Sequence, residues 1–153
     1  MATDETMDRI EKRILLKARR SRVWRALSSP EEFGAWFGVR LDAAVFAPAA
    51  RVKGRIATPG YEAWTMELTI ERMEPEHLLS YRWHPYAEPG LDLAGEPTTL
   101  VEFRLEEAAG GTQLTVVESG FDRLPLARRA QAFRMNDQGW AAQLRNVERH
   151  VST

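Results

Sequence analysis

The chain has 153 residues, a length that fits one domain with a single hydrophobic core. Its 21 Lys and Arg residues are balanced by 22 Asp and Glu, which excludes the excess of positive charge typical of proteins that bind nucleic acid or anionic membranes. It contains no cysteine, which rules out disulfides, thiolate metal sites and a cysteine nucleophile.

The N-terminal segment "MATDETMDRIEKR" is polar and acidic, whereas a signal peptide is basic and then apolar. No run of residues approaches the roughly 18 apolar residues of a membrane-spanning helix. We therefore expect a cytoplasmic protein that does not insert into a membrane. One domain is expected over residues 1–153, with residues 1–8 flexible.

The first part of the chain predicts a strand followed by two short helices. Residues 9–17, "RIEKRILLK", have the rough alternation of a half-buried strand. Ser21 is placed to cap a first short helix. Ser29 with Glu32 forms the pattern of a capping box, and Pro30 falls at the first helical position, so a second helix is predicted there.

The middle of the chain predicts strands and one long loop. "VRLDAAVF" and "RVKGRIA" are typical of short strands, and "WTMELTIERM" (64–73) alternates apolar with polar residues along a strand with one buried face. "HLLSYRW" (77–83) is placed to pair with it. Residues 84–97, rich in Pro and Gly, predict a loop. "TTLVEFRLEE" and "TQLTVVES" predict a last hairpin around Gly110 and Gly111.

The C-terminal segment from Pro125 to about His150 predicts one long helix with a single apolar stripe. The stripe consists of Trp140, Leu144, Val147 and Val151. Gly139 stands beside it, where glycine costs roughly 1 kcal/mol relative to Ala, and we predict that it permits a close approach to a strand. The elements together predict an α+β architecture, with the helix on one face of an antiparallel sheet of six or seven strands.

Glu118 is a candidate catalytic or ligand-binding residue. Alternation in "QLTVVES" places it on one face with Leu114 and Val116, so its side chain is predicted to point inward. A carboxylate at the mouth of an apolar cavity can have a raised pKa and act as an acid or base. The alternative is that Glu118 turns to solvent or pairs with Arg128 or Arg129.

His84, at the start of the predicted loop, is a second catalytic candidate, and the alternative is a surface imidazole. The chain has only three histidines, and none of them forms a pair at metal-ligand spacing, so no metal is predicted. Neither a serine nucleophile motif nor a glycine-rich phosphate loop is found, and no cofactor is predicted.

Large apolar side chains fall on elements that should converge. We predict that they line a cavity for a small apolar or aromatic ligand, with Tyr81 or Glu118 as polar contacts; the alternative is a filled core. The predicted ligand-binding residues are Trp64, Met66, Tyr81, Trp83, Glu118, Phe121, Phe133 and Trp140.

Three segments carry a resemblance to a known family. Residues 22–37 ("RVWRALSSPEEFGAWF"), 98–121 ("TTLVEFRLEEAAGGTQLTVVESGF") and 136–151 ("NDQGWAAQLRNVERHV") resemble the activator of heat-shock protein 90 ATPase homologue family, within the START-like (SRPBCC) helix-grip superfamily. The resemblance implies a seven-stranded antiparallel sheet wrapped around the C-terminal helix, with two small helices between the first two strands.

The resemblance also limits the expected functions, because the superfamily includes lipid carriers, plant hormone receptors and polyketide cyclases, and its stand-alone bacterial members mostly have no settled role. Our leading expectation is a domain that binds a small hydrophobic or aromatic molecule, with no reaction assigned. One alternative is a cyclase- or hydratase-like acid/base enzyme that uses Glu118 and His84. The other is a protein-interaction module that assists a chaperone.

Overall fold

A seven-stranded antiparallel sheet forms the body of the protein in the computed structural model, which describes residues 8–85 and 92–152. The strands are β1 (Arg9–Leu16), β2 (Val39–Leu41), β3 (Arg51–Ile56), β4 (Thr65–Glu74), β5 (Leu78–Trp83), β6 (Thr99–Ala108) and β7 (Gly111–Ser119). Their order across the sheet is β1-β7-β6-β5-β4-β3-β2, so the first strand pairs with the last.

Three helices accompany the sheet. They are α1 (Arg20–Ser28), α2 (Pro30–Phe37) and α3 (Leu126–Val151), and a short 3-10 helix spans Phe121–Arg123. The long helix α3 packs against β1 and against both short helices. This arrangement confirms the predicted α+β helix-grip architecture and the order of its elements. Among the described residues, no helix is long and apolar enough to cross a membrane.

The core follows from the periods read in the sequence. Trp140, Leu144, Val147 and Val151, the predicted stripe of α3, are all buried. On β4, Leu68 and Ile70 are buried while their polar neighbours are exposed or half-buried. The strand period of two and the helical period of 3.6 therefore direct two sets of side chains into one interior.

The two short helices begin differently from the prediction. Helix α1 starts at Arg20 without a side-chain cap, so the expected cap at Ser21 is wrong because Ser21 already lies in the first turn. Ser29 does cap α2, since its hydroxyl accepts the backbone N–H of Glu32 at 3.3 Å. The Glu32 carboxylate does not complete the predicted box, because it binds Arg22 at 2.7 Å instead.

Two predicted segments differ in extent. The strand predicted at 39–46 ends at Leu41, and Phe46 turns inward and packs against Phe33, with ring centroids 5.9 Å apart. In the loop predicted at 84–97, residues 86–91 lie outside the described part of the chain, as do residues 1–7 of the expected flexible terminus.

The prediction that Gly139 permits close packing is wrong. A methyl group added at Gly139 would meet no atom of the described residues within 4 Å outside its own surroundings in the helix. The glycine that a close contact requires is Gly34 in α2, where a Cβ would lie 2.4 Å from the backbone oxygen of Val39. The sequence could not separate these cases, because both glycines stand inside helices beside aromatic residues.

Gly139→Ala should therefore raise the free energy of unfolding by about 0.4–1 kcal/mol, because alanine has the higher helix propensity and finds free space here. Gly34→Ala is the matched control and should lower it, on the order of 1–3 kcal/mol, because α2 and β2 would be forced apart. Urea denaturation measures both. A destabilised Gly139→Ala protein would contradict the open space at this position.

Candidate functional site

Glu118 is buried near the end of β7, with an exposed fraction of 0%. Its neighbours two and four positions earlier, Val116 and Leu114, are also fully buried. The strand alternation therefore carries a carboxylate into the apolar interior, and the alternative in which Glu118 turns to solvent is wrong.

Four side chains donate hydrogen bonds to this carboxylate. Oε1 accepts from the indole Nε1 of Trp140 at 2.8 Å, and Oε2 accepts from Trp83 Nε1 at 2.8 Å and Thr99 Oγ1 at 2.5 Å. The amide Nδ2 of Asn136 lies 3.0 Å from Oε1 and 3.1 Å from Oε2. We call these five residues the Glu118 cluster.

The cluster holds an acid in a neutral environment. Burial raises the pKa of Glu118, and the hydrogen bonds of its four donors oppose that rise. Within residues 8–85 and 92–152, no cation forms an ion pair with Glu118. Arg129 instead donates to the backbone oxygens of Asp122 and Leu124, and Arg128 lies 3.9 Å from Glu96, so the predicted alternative of pairing with either arginine is wrong.

Tyr81 adds a second buried polar group. Its hydroxyl is inaccessible to solvent and has no hydrogen-bond partner among the described residues. Burial raises the pKa of Tyr81, and the charge of Glu118 adds to that rise. A buried hydroxyl without a partner is unusual in folded proteins, and so is a buried carboxylate without a cation.

Aromatic rings enclose the cluster. Trp140 lies 5.8 Å from Trp83, 5.6 Å from Phe103 and 6.2 Å from Phe37, measured between ring centroids. Tyr81 lies 5.4 Å from Trp83. The polar head of Glu118 is therefore held inside an apolar shell supplied by the sheet, α2 and α3.

The predicted ligand-binding residues lie in four places. Tyr81, Trp83, Glu118 and Trp140 are brought together, as just described. Phe121 and Phe133 form a separate pair, with ring centroids 5.2 Å apart, and Met66 packs half-buried on the core. Trp64 precedes β4 and lies against the exposed Tyr61 at 6.0 Å.

The sequence interpretation missed two members of the cluster. Asn136 lies four residues before Trp140 and so on the same side of α3, a signal that helical periodicity offered. Thr99 faces Trp83 in the register of β5 and β6, which requires the strand pairing to be known. Asn136 was missed because only the apolar stripe of α3 was considered, and Thr99 because the strand register was not known.

His84 does not join the cluster. Its Nε2 lies 3.1 Å from the backbone oxygen of Glu96, a contact that joins the two ends of the loop predicted at 84–97. The role of His84 as a catalytic residue stays a prediction. Within the described ranges, no group of three or more Asp, Glu or His residues is arranged to hold a metal ion.

One flank of α3 has a gap at Gly139. Before it, Ala132 is buried; after it, Gln143 donates to the backbone oxygen of Phe37 at 3.0 Å, and His150 lies 2.9 Å from Glu32. Helical geometry places all these residues on the flank that also carries Asn136. Among the described residues, nothing lies within 4 Å of the position of a Gly139 side chain. The part of the chain that the structure describes therefore leaves this flank uncovered at Gly139, three residues from Asn136 of the Glu118 cluster.

Two surface grooves lie elsewhere. One, of about 700 Å³, runs between α2 and β2, and the other, of about 570 Å³, lies at the start of α1. Neither contains an aromatic residue or Glu118. The candidate functional group is therefore the Glu118 carboxyl group of the cluster. It can accept a hydrogen bond from a ligand, or it can exchange a proton with one.

Comparison with known proteins agrees with this architecture. A family model described as Activator of Hsp90 ATPase homolog 1-like protein matches residues 17–152. No curated protein matches the chain. Protein MLL2253 from Mesorhizobium loti is similar at 21% identity and a TM-score of 0.74, over 94% of this chain and 96% of its own.

Two further solved structures share the fold. A Rhodobacter sphaeroides protein matches at 23% identity with a TM-score of 0.71, over 96% of this chain and 93% of its own. DynU16, encoded in the dynemicin biosynthetic locus, matches at 24% identity with a TM-score of 0.71 over 95% of this chain, which spans about half of DynU16, at 48%. With the family model matching most of its length, this chain belongs to the Activator of Hsp90 ATPase homolog 1-like family and has its helix-grip fold.

Proposed function

We propose that this domain binds a small, largely aromatic molecule between the sheet and α3, with Glu118 as its polar contact. The observation that carries the proposal is the Glu118 cluster. Its carboxylate forms no ion pair with a described residue, and neutral donors hold it inside an aromatic shell. The family and the fold support a ligand-binding role.

A purely structural role would be a poor explanation for Glu118. Transfer of a carboxylate from water to an apolar interior costs several kcal/mol, and an apolar residue of similar volume would fill the same space at lower cost. Buried ionisable groups of this kind are found more often where a protein binds or reacts with something. The cluster is thus better explained as a recognition site than as core.

Access to the cluster is offered by the gap at Gly139. The flank is covered at Ala132 and at Gln143, and between them no described residue lies within 4 Å of a Gly139 side chain. Asn136, three residues before Gly139, is both half-buried and bonded to Glu118. A ligand that entered at this gap would therefore reach the carboxylate beside Asn136. Fold likeness to DynU16, from a biosynthetic locus, is compatible with a small molecule as the ligand.

The test uses the apolar fluorophore N-phenyl-1-naphthylamine. The wild-type protein should bind it saturably and quench tryptophan emission, because Trp83 and Trp140 lie at the site. Gly139→Leu should weaken binding about ten-fold or more by filling the gap, whereas Gly139→Ala should have a smaller effect.

Gln138→Leu is the control, since it places the same leucine side chain at an exposed position next to the gap. It should bind the fluorophore as the wild-type protein does. Absence of saturable binding to the wild type would refute the proposed function, and equal affinity of Gly139→Leu and wild type would refute this route of access.

A second candidate function is acid/base catalysis by Glu118, favoured by its raised pKa. It requires turnover of a bound substrate, with a bell-shaped pH–rate profile that is lost in Glu118→Gln. Saturable binding without turnover supports the leading proposal instead. The chaperone-associated alternative stays a prediction, and stimulation of a chaperone ATPase by the purified protein would support it.

A further inference from the structure

We propose that the ligand of the Glu118 cluster carries a hydrogen-bond donor, such as a phenolic hydroxyl or an amine N–H, and that carboxylate ligands are rejected. This inference rests on the proposed function and specifies the chemical class of its ligand. It follows from which groups in the cluster can donate, which can accept and which can move.

Glu118 is the charged acceptor of the cluster, and the Thr99 hydroxyl and the Asn136 amide oxygen can also accept. The indole N–H groups of Trp83 and Trp140 can donate but cannot accept, so both carboxylate oxygens must act as acceptors toward them. Glu118 already receives four donors, and an ionised carboxylate has about four lone-pair sites. A polar group that binds the Glu118 carboxylate must therefore replace one of these donors, and it must itself donate.

Two of the four donors are placed to be replaced. Trp140 is 2% exposed and Thr99 is 0% exposed, so both are fixed within the core. Trp83 and Asn136 are half-buried, and Asn136 stands beside the gap at Gly139. The position given up by Asn136 is thus the one that a ligand entering through the gap would take.

An acceptor or an anion finds the opposite situation. A ligand carboxylate would face the Glu118 carboxylate in an apolar interior, where like charges repel strongly. The indole donors are already used by Glu118. The buried Tyr81 hydroxyl has no hydrogen-bond partner among the described residues, so it can donate to a neutral acceptor on the same ligand.

Three probes of one shape test the inference. They are 2-naphthol, which donates, its near-isostere 2-methylnaphthalene, which cannot, and 2-naphthoate, which is an anion. The wild-type protein should bind 2-naphthol at least about ten-fold more tightly than 2-methylnaphthalene, because a hydrogen bond to a charged acceptor is among the stronger ones. It should bind 2-naphthoate most weakly. Tryptophan fluorescence and calorimetric titration measure the affinities.

Asn136→Ala makes the test independent of any loss of folding, because it should increase the preference for 2-naphthol by leaving a lone pair of Glu118 without a donor. Gln143→Ala is the matched control: it removes an amide from the same flank that bonds Phe37 and not Glu118, and the preference should not change.

The outcomes separate the two proposals. If none of the probes binds, the proposed function fails and the inference with it. If 2-methylnaphthalene or 2-naphthoate binds as tightly as 2-naphthol, the domain binds aromatic molecules but the donor requirement is refuted. A preference that Asn136→Ala leaves unchanged or lowers would also refute it.

Discussion

Glu118→Ala should lower the free energy of unfolding by about 3–5 kcal/mol, because it leaves a cavity and deprives four buried or half-buried donors of their acceptor. Glu118→Gln keeps the shape but should still cost about 1–3 kcal/mol. Its NH₂ group must replace Oε1, which accepts from Trp140, or Oε2, which accepts from Trp83. In either orientation a donor faces a donor. Urea denaturation measures both variants.

The cost of Glu118→Gln should also depend on pH. Burial raises the pKa of Glu118 above its ordinary value of about 4.5, so at intermediate pH the folded chain retains a proton that the unfolded chain has lost. The stability contributed by Glu118 is therefore complete below about pH 4.5 and is lost as pH rises through the folded pKa. Because glutamine does not titrate, the difference in free energy of unfolding between wild type and Glu118→Gln should shrink as the pH rises above about 4.5.

Glu32 does not disturb this comparison. Its pKa is lowered, with burial opposing the effect of hydrogen bonds from His150 and Arg22, so its own contribution is present above about pH 4.5 and is lost on acidification. It titrates in both proteins and cancels in the difference. A difference in stability that grows with pH would contradict the raised pKa of Glu118. Equal stability of Glu118→Gln and wild type would contradict the hydrogen bonds that the four donors of the Glu118 cluster make to the carboxylate.

The periodicity of apolar residues predicted which side chains of the regular helix and strands point into the core. The stripe on α3 and the alternation on β7 each have enough members to define a direction, so the burial of Trp140 and the inward position of Glu118 followed from the pattern. Trp64 shows the limit of the same argument. The apolar alternation continues through it, but β4 begins one residue later and its ring lies against Tyr61.

One partner of Glu118, Thr99, required information that a single sequence does not hold. Thr99 meets the carboxylate because β5 and β6 pair with Trp83 opposite Thr99, a register fixed by tertiary structure. The prediction for Gly139 was wrong for a different reason, because glycine is equally compatible with a tight contact and with open space. Only the neighbours distinguish it from Gly34, which touches the backbone of β2.

Trp140→Ala should cost about 3–5 kcal/mol of stability, since it removes a buried ring that contacts Phe37, Trp83 and Phe103. Trp140→Phe keeps most of that packing and removes the N–H donor, so about 1–3 kcal/mol is expected. Urea denaturation measures the free energy of unfolding of both variants. Binding of N-phenyl-1-naphthylamine is then measured on the folded Trp140→Phe protein.

A double-mutant cycle identifies the source of the loss. Trp140→Phe and Glu118→Gln remove the two ends of one hydrogen bond, from Trp140 Nε1 to Glu118 Oε1 at 2.8 Å, so their costs should not add. Combined with a third variant far from the cluster, such as Leu16→Ala, where Leu16 pairs with Thr112 at the opposite end of β7 from Glu118, each should instead be additive. If the losses in free energy of unfolding of Trp140→Phe and Glu118→Gln add, and the wild type binds no probe, then Trp140 contributes only to packing. The ligand-binding proposal would then give way to a filled core whose function lies on its surface.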